Sequence, residues 1–356
     1  MNVGFSADGS YIRASALSGF ADLVRSKGGD AVDLLVRAGI DPASLTCPDM
    51  LVSFSRQGHL LEVAAAELDM PSFGLEWALN IPPYHPNSGP LLLLNTATIG
   101  EWIDKSTRYW RLQTNGQIPT LVDTEDPDRV AIRMAARSGP PPRQQMEHIL
   151  AKLYRVMSVM VGPDTAFRAQ ARFQHPKPDD TSVHEQVFGT DVEFDAEHNE
   201  LMFDRAALSL PISDALPSPT TVVSQFIRHR IRDMPRYNQG VRTTTEIAIR
   251  TILGSGMCTK EYVAQVLGLS TGRLQYLLAR ESTSFGDILE GVRQDIAYRL
   301  LSETSIPAAT IAGLLDYASA PALTVAMKRW TGMTPSAYRA REKGVDDIGR
   351  QSDGDE

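Results

Sequence analysis

The chain has 356 residues, of which 42% are hydrophobic and 22% charged, enough for two or three domains with cores of their own and too apolar for a wholly disordered chain. Its longest aliphatic run, Leu91 to Leu94, falls far short of the ~18 apolar residues of a membrane span. Residues 1–20 lack the cationic start and apolar stretch of a signal peptide, so a cytoplasmic location with no membrane partner is expected. Cys47 and Cys258 form no CxxC pair, which excludes a disulfide framework and a zinc knuckle and leaves two reduced thiols. The net charge of −8 is unevenly spread: residues 1–224 carry −10, residues 225–344 carry +6 and residues 345–356 carry −4. A basic module joined to an acidic one is the distribution that attraction to a polyanion requires of the module.

Along the chain, apolar spacing over 16–39, broken by Gly28 and Gly29 and turned by Asp41-Pro42, predicts two short helices. Further helices are expected over Ser55–Leu68, Phe73–Leu79 and 98–114, the last amphipathic and carrying Trp102, Tyr109 and Trp110. Then the pattern changes. IPTLVDTE and DRVAIRMAAR alternate polar and apolar around Asp126-Pro127-Asp128, which predicts a hairpin. Residues 144–161 return to helical spacing, FRAQARFQH is a strand, HEQVFG a short helix, and DVEFD with NELMFD is expected to form a second hairpin. That order implies an antiparallel α+β unit. Pro211, Pro217 and Pro219 mark a linker, and 221–234 resumes as a helix whose Val222, Val223, Phe226, Ile227 and Ile231 suit dimerisation or docking of the linker. The expected domains are therefore a regulatory unit over 16–210, a linker over 211–240, an all-α unit over 241–344 and an acidic, disordered tail over 345–356.

The last third contains a repeat. VAQVLGLS (263–270) recurs as IAGLLDYA (311–318), 48 residues later. In each copy a β-branched residue and a Leu share one helix face, an Ala lets a second helix cross closely, and a turn residue in the left-handed region ends the first helix. This is helix-turn-helix grammar, written twice. Gly268 fills the first turn without steric cost, whereas Asp316 brings a Cβ to the second, which is expected to be strained. Thr243 with Glu246 and Ser284 with Asp287 read as capping boxes, and Ser270 as an N-cap. The helix over 285–303, with Ile288, Leu289, Val292, Ile296, Leu300 and Leu301 facing cores on both sides, would hold the two units together. Helices held about one duplex turn (~34 Å) apart could enter successive major grooves of double-stranded DNA.

These strings, with the closing Lys328-Arg329-Trp330-Thr331-Gly332-Met333-Thr334-Pro335-Ser336-Ala337-Tyr338-Arg339, resemble the AraC/XylS family of bacterial transcription regulators over residues 241–342. Residues 20–215 resemble the effector domain of the branch that includes regulators of amino-acid catabolism, through ARFQHPKP and EQVFGTDVEFDAEHNELMFD. The resemblance implies a homodimeric promoter-binding regulator, controlled by a small-molecule effector and able to contact RNA polymerase, with no cofactor. DNA-contacting positions would be Thr271, Arg273, Gln275, Tyr276 and Arg280 on the first reading helix and Ser319, Thr324, Lys328 and Arg329 on the second. Arg228, Arg230, Arg232, Arg236, Arg339 and Arg341 add cations that could face phosphates. The sequence departs from the family pattern at Gly272, Tyr276, Leu277, Asp316, Ala318, Pro321 and Val325, leaving few forked donors for base edges. A derived member that acts through protein contacts is the alternative reading.

Catalysis finds little support: no phosphate loop, nucleophile elbow or HExxH occurs, and no histidines lie four apart. His175 and His184 read as turn-capping or surface residues rather than metal ligands, and Trp330 as core. An effector pocket is expected between the 98–114 helix and the sheet, lined by Trp102, Tyr109 and Trp110 with Tyr84 and His85.

Overall fold

A computed structural model describes residues 10–47, 50–82, 96–136, 141–162, 165, 167–213, 220–221, 223–224, 227, 240–303 and 307–342. The chain divides into two compact units, Met1–Ser218 and Pro219–Glu356. Among the described residues no helix is long and apolar enough to cross a membrane. Both cysteines are free thiols.

The first unit begins with a helical layer. Strand β1 (Tyr11–Arg13) pairs antiparallel with β2 (Leu51–Ser53), a small ribbon that the sequence did not announce because each strand is only three residues long. Helices α1 (Phe20–Ser26), α2 (Ala31–Arg37), α3 (Phe54–Glu67) and α4 (Phe73–Asn80) follow. Asp30 caps α2 through Val32 and Asp33, and Ser53 caps α3 through Arg56, each satisfying amide donors that a helix start leaves free. Their inward faces, including Phe20, Leu35, Leu60, Leu61, Phe73 and Trp77, make one core.

Helix α5 (Ile99–Gln113) leads into the sheet, with Thr98 capping it at Glu101. Strands β3 (Gln117–Asp123) and β4 (Arg129–Ala136) form the expected hairpin, in register from Gln117 opposite Ala136 to Asp123 opposite Val130. Helix α6 (Arg143–Met160), β5 (Ala169–Arg172), α7 (Ser182–Phe188), β6 (Val192–Glu193) and β7 (Glu200–Asp204) complete the unit. The sheet order is β3-β4-β7-β5-β6. The second hairpin is therefore corrected: β6 pairs parallel with β5, and β7 inserts between β4 and β5, antiparallel to both. The sheet is mixed. Period-two alternation tells which residues face inward but not which strand lies beside which, and here pairing is settled by burying Leu201 and Phe203 in the middle of the sheet beneath α6. Helices α4 and α6 meet at Gly74, whose N–H donates to Gln144 Oε1 at 2.7 Å, and a Cβ there would lie 2.1 Å from the Gln144 carbonyl oxygen.

The second unit is helical where described: α8 (Val241–Ile252), α9 (Lys260–Val266), α10 (Thr271–Arg280), α11 (Phe285–Glu303), α12 (Ala308–Leu314) and α13 (Ala320–Thr331). Helix α11 buries Ile288, Val292, Ile296, Leu300 and Leu301, with Leu289 half-buried, and it packs against both α8 and α12. Ser284 accepts from the Asp287 amide, the N-cap half of the expected box at the start of α11, and donates its hydroxyl to the Asp287 carboxylate. The Thr243–Glu246 box does not form. Helix α8 starts earlier, at Val241, and the Glu281 carboxylate accepts the amides of Val241 and Arg242 at 3.0 Å each, so a residue forty positions away replaces the local cap.

Candidate nucleic-acid interface and ligand cavity

In the first two-helix unit, Val263, Ala264 and Val266 of α9 are buried, as are Leu274 and Leu278 of α10. Gly268 takes the turn at φ +70°. Ser270 caps α10 through the Arg273 amide. Because Leu274 and Leu278 hold α10 down one turn apart, Arg273, Gln275, Tyr276 and Arg280 all face outward, with Thr271 half-buried. The Arg273 guanidinium lies 5.4 Å from the centre of the Tyr276 ring, close enough for cation–π attraction to steer the fork.

The second unit repeats this with one difference. Ile311, Ala312 and Leu315 are buried on the α12 side, and Leu323, Ala326 and Met327 on α13. Val263 and Ile311 stand 48 residues apart, yet the N-caps Ser270 and Ser319 stand 49 apart, so the second turn is one residue longer. Leu323 then matches Leu274, Thr324 matches Gln275, and Val325 matches Tyr276. Val325 and Tyr276 are exposed at 66% and 55%, making this one position an outward-facing large apolar residue in both copies. Ser319 and Lys328 are exposed and Thr324 half-buried, while Pro321 adds further apolar surface. The reading face of α13 is mostly apolar.

The residue at the longer turn, Asp316, adopts φ +53°, as expected for the strained position. Its side chain is put to use. Asp316 Oδ1 accepts the Gly256 amide at 2.9 Å, and Arg293 donates to the carbonyls of Leu315 and Asp316 at 2.7 and 3.1 Å. Burial raises its carboxyl above the ordinary value, opposed by amide hydrogen bonds from Gly256 and Gly254 and by the Arg293 charge.

Several expected cations are already engaged. Arg329 pairs with Glu290 of α11, Arg341 pairs with Glu342 and stacks on Tyr338, and Arg339 is half-buried with Nε directed to the Leu301 carbonyl at 3.4 Å. Arg339 thus braces the end of α11 rather than presenting an open cation. Lys328 and Arg280 remain exposed. Arg228, Arg230, Arg232 and Arg236 lie outside the described residues. Trp330 is half-buried rather than core: it donates to Glu290 at 2.6 Å and meets Tyr298 edge-on at 6.2 Å.

The first unit holds a cavity where α3, α5, α6 and the sheet converge. Its walls include Trp102, Ile103 and Trp110 from α5, Gln117 and Ile132 from the sheet, and His148, Ile149 and Lys152 from α6. Trp102 and Trp110 lie at the expected place; Tyr84, His85 and the side chain of Tyr109 lie outside the described residues. Sequence reasoning passed over Lys152, although helical spacing could have found it. Lys152 sits three residues after buried Ile149 and four before buried Val156, so it belongs to the inward stripe of α6. Burial lowers its ammonium to about 8. His148 is held well below its ordinary value, by burial first and then by the Lys152 charge, against a hydrogen bond to the Gly74 carbonyl. A neutral imidazole donates there through Nδ1, 3.1 Å from that oxygen.

His175 and His184 are not surface residues. His184 is fully buried, with Nε2 at 2.8 Å from Glu147 Oε1, and His175 Nε2 approaches the same oxygen at 3.3 Å. Arg143 Nε donates to it at 2.7 Å. The three residues group closely enough to face an ion, but Arg143 already supplies a positive charge to the shared oxygen. The Arg143 charge offsets the burial of the Glu147 carboxylate.

The geometry defines a class: a mixed α+β unit followed in the chain by a double helix-turn-helix unit, an architecture used by DNA-binding regulators of transcription. Residues 28–212 match the family model described as the arabinose-binding domain of AraC transcription regulator, N-terminal, and residues 263–341 match a helix-turn-helix domain. The chain belongs to the AraC family of transcription regulators. It is 29% identical to the HTH-type transcriptional regulator VirS of Mycobacterium tuberculosis, over 93% of this chain and 97% of that one. It is 25% identical to the ornithine utilization regulator of Pseudomonas aeruginosa, over 89% and 93% of the two chains. Among solved structures, the transcriptional regulator CdpR from Pseudomonas aeruginosa aligns over 89% of this chain and 97% of that one, at 19% identity and a TM-score of 0.37.

Proposed function

We propose that this regulator reads promoter DNA with α10 and α13 in major grooves and that a small molecule in the cavity of its first unit alters that binding. The observation that carries the reading is the paired exposure on the two helices: Leu274 with Leu278 and Leu323 with Met327 point inward, which turns Arg273, Gln275 and Tyr276, and in parallel Val325 and Lys328, outward. Arg273 and Gln275 in this reading supply the donors that base edges require, while the exposed Arg280 and Lys328 contact phosphates, which fix register without reading sequence. In this reading residues 16–210 form the effector domain, 211–240 the linker and dimerisation helix, 241–344 the DNA-binding domain and 345–356 an acidic tail. The protein works as a cytoplasmic homodimer that contacts RNA polymerase at the promoter. An effector shifts the DNA-competent population only as far as its affinities for the two states differ.

Salt-titrated binding to DNA from upstream of its own and neighbouring genes tests the reading. A steep fall of log affinity with log salt and a protected pair of half-sites support it; no retardation at low salt overturns it. The apolar face of α13, with Pro321 and Val325, favours one second reading, in which that helix docks a protein partner and α10 alone reads bases. Protection confined to one half-site distinguishes it.

A further inference from the structure

We propose that the cavity of the first unit takes a small organic carboxylate with an apolar or aromatic body, its anionic end held by Lys152. This rests on the reading of that cavity as the effector site and names the chemistry it selects. Lys152 projects from α6 into the lining, and among the described residues no hydrogen bond, ion pair or neighbouring carboxylate is found for it. Among the described lining residues there is no acidic side chain, and His148 is the one other titratable group. A lysine in such a place is either neutralised or partnered by what binds beside it.

Three more groups lack what a ligand could give. Both polar side-chain atoms of Gln117 and the indole nitrogens of Trp102 and Trp110 are buried with no hydrogen-bond partner, and Gln117 and Trp102 are only 1% and 2% exposed. Unpaired buried donors are costly, so acceptor oxygens arriving with a ligand would be well received. Ile103, Ile132, Ile149, Leu153 and Val156 give the wall an apolar stretch, and Gln57, Ser106, Thr107, Gln113 and Thr114 add neutral polar groups. The cavity has a volume of about 80 Å³, several times the ~10–15 Å³ that one water needs. A body the size of a benzene ring or a short acyl chain fits. A cationic amine does not, because it would meet the Lys152 ammonium with no carboxylate among the described lining residues to offset it.

The test is calorimetric titration of the full chain with benzoate, phenylacetate and hexanoate, beside benzamide, hexanol and ornithine, with DNA affinity measured for every probe that binds. The acids are expected to bind at pH 7 at least 10-fold more tightly than their neutral counterparts and to quench indole fluorescence. Lys152→Met should abolish acid binding while the variant melts no lower than wild type, since a thioether suits the site; Lys152→Arg should restore part of it. With the free ammonium at about 8, acid affinity should fall about 30-fold from pH 7 to 9.5, because only the protonated fraction pairs with an anion. His148 is already neutral across that range.

Equal binding of benzamide or hexanol, acid binding unchanged in Lys152→Met, or no binding by any acid overturns the proposal. In those cases a neutral probe or ornithine that still shifts DNA affinity would keep the cavity as the effector site. Acids that bind through Lys152 yet leave DNA affinity unchanged would uphold the site chemistry and overturn its role as effector.

Discussion

The matched exposure of Tyr276 and Val325 makes a quantitative prediction about DNA reading. Where forked donors are scarce, an apolar side chain can still recognise the C5-methyl of thymine in the major groove. Full burial of a Val side chain is worth roughly 1.5–3 kcal/mol, and Val325 holds 66% of its surface in reserve, so its contact with a base can supply at most about 1–2 kcal/mol. The thymine methyl itself contributes about 0.8 kcal/mol, close to a 4-fold change in affinity. The perturbation is a cycle: thymine→deoxyuridine at each position protected in a footprint, combined with Val325→Ala and, separately, Tyr276→Ala. Measured by fluorescence anisotropy at fixed salt, wild type should lose about 4-fold at one thymine in the half-site facing α13, and Val325→Ala should be indifferent to that same methyl. Tyr276→Ala should behave likewise in the other half-site, with an added loss because Arg273 is no longer steered by the ring. If Val325→Ala weakens thymine and deoxyuridine DNA equally at every position, the apolar reading is refuted and Val325 belongs to the protein-docking alternative.

Other outcomes follow from the same geometry. Arg273→Ala should cost about 1–3 kcal/mol on the preferred site and relax base choice at one position, whereas Lys328→Ala should weaken all sequences alike and lower the salt slope by about 0.9; selection of binding sites by each variant separates the two. Gly74→Ala should destabilise the first unit by about 3 kcal/mol or more, read by denaturant midpoint, because its Cβ would lie 2.1 Å from a backbone oxygen that cannot move aside. Asp316→Ala should cost about 2 kcal/mol, losing the Gly256 hydrogen bond while keeping the left-handed turn. Asp316→Gly should be milder by about 1 kcal/mol, since it relieves the turn. Burial holds His148 and His175 below their ordinary value, so the unfolded chain binds more protons than the native one as pH falls below 6.5, and melting temperature should drop there. A His148→Gln variant should show a shallower drop.

Features that depend on neighbours a few residues apart could be read from the order of residues alone. The helices of both units, the β3–β4 hairpin, the Ser270 and Ser284 caps and the left-handed Gly268 and Asp316 follow from spacing and side-chain type, because a cap, a turn or a helical stripe is completed within one turn of chain. The duplicated two-helix element was legible for the same reason. What depends on distant partners was decided only in three dimensions. The parallel pairing of β6, the Glu281 cap on α8, the Arg329–Glu290 pair and the gathering of Glu147 with His175 and His184 all join segments whose separation in sequence carries no signal. The cavity shows this most clearly: Lys152 stands on an apolar stripe legible in the sequence, but its lack of an acidic neighbour among the described residues came from packing α6 against Trp102, Trp110 and Gln117, and an unpaired charge is a property of the surrounding wall rather than of any residue in it.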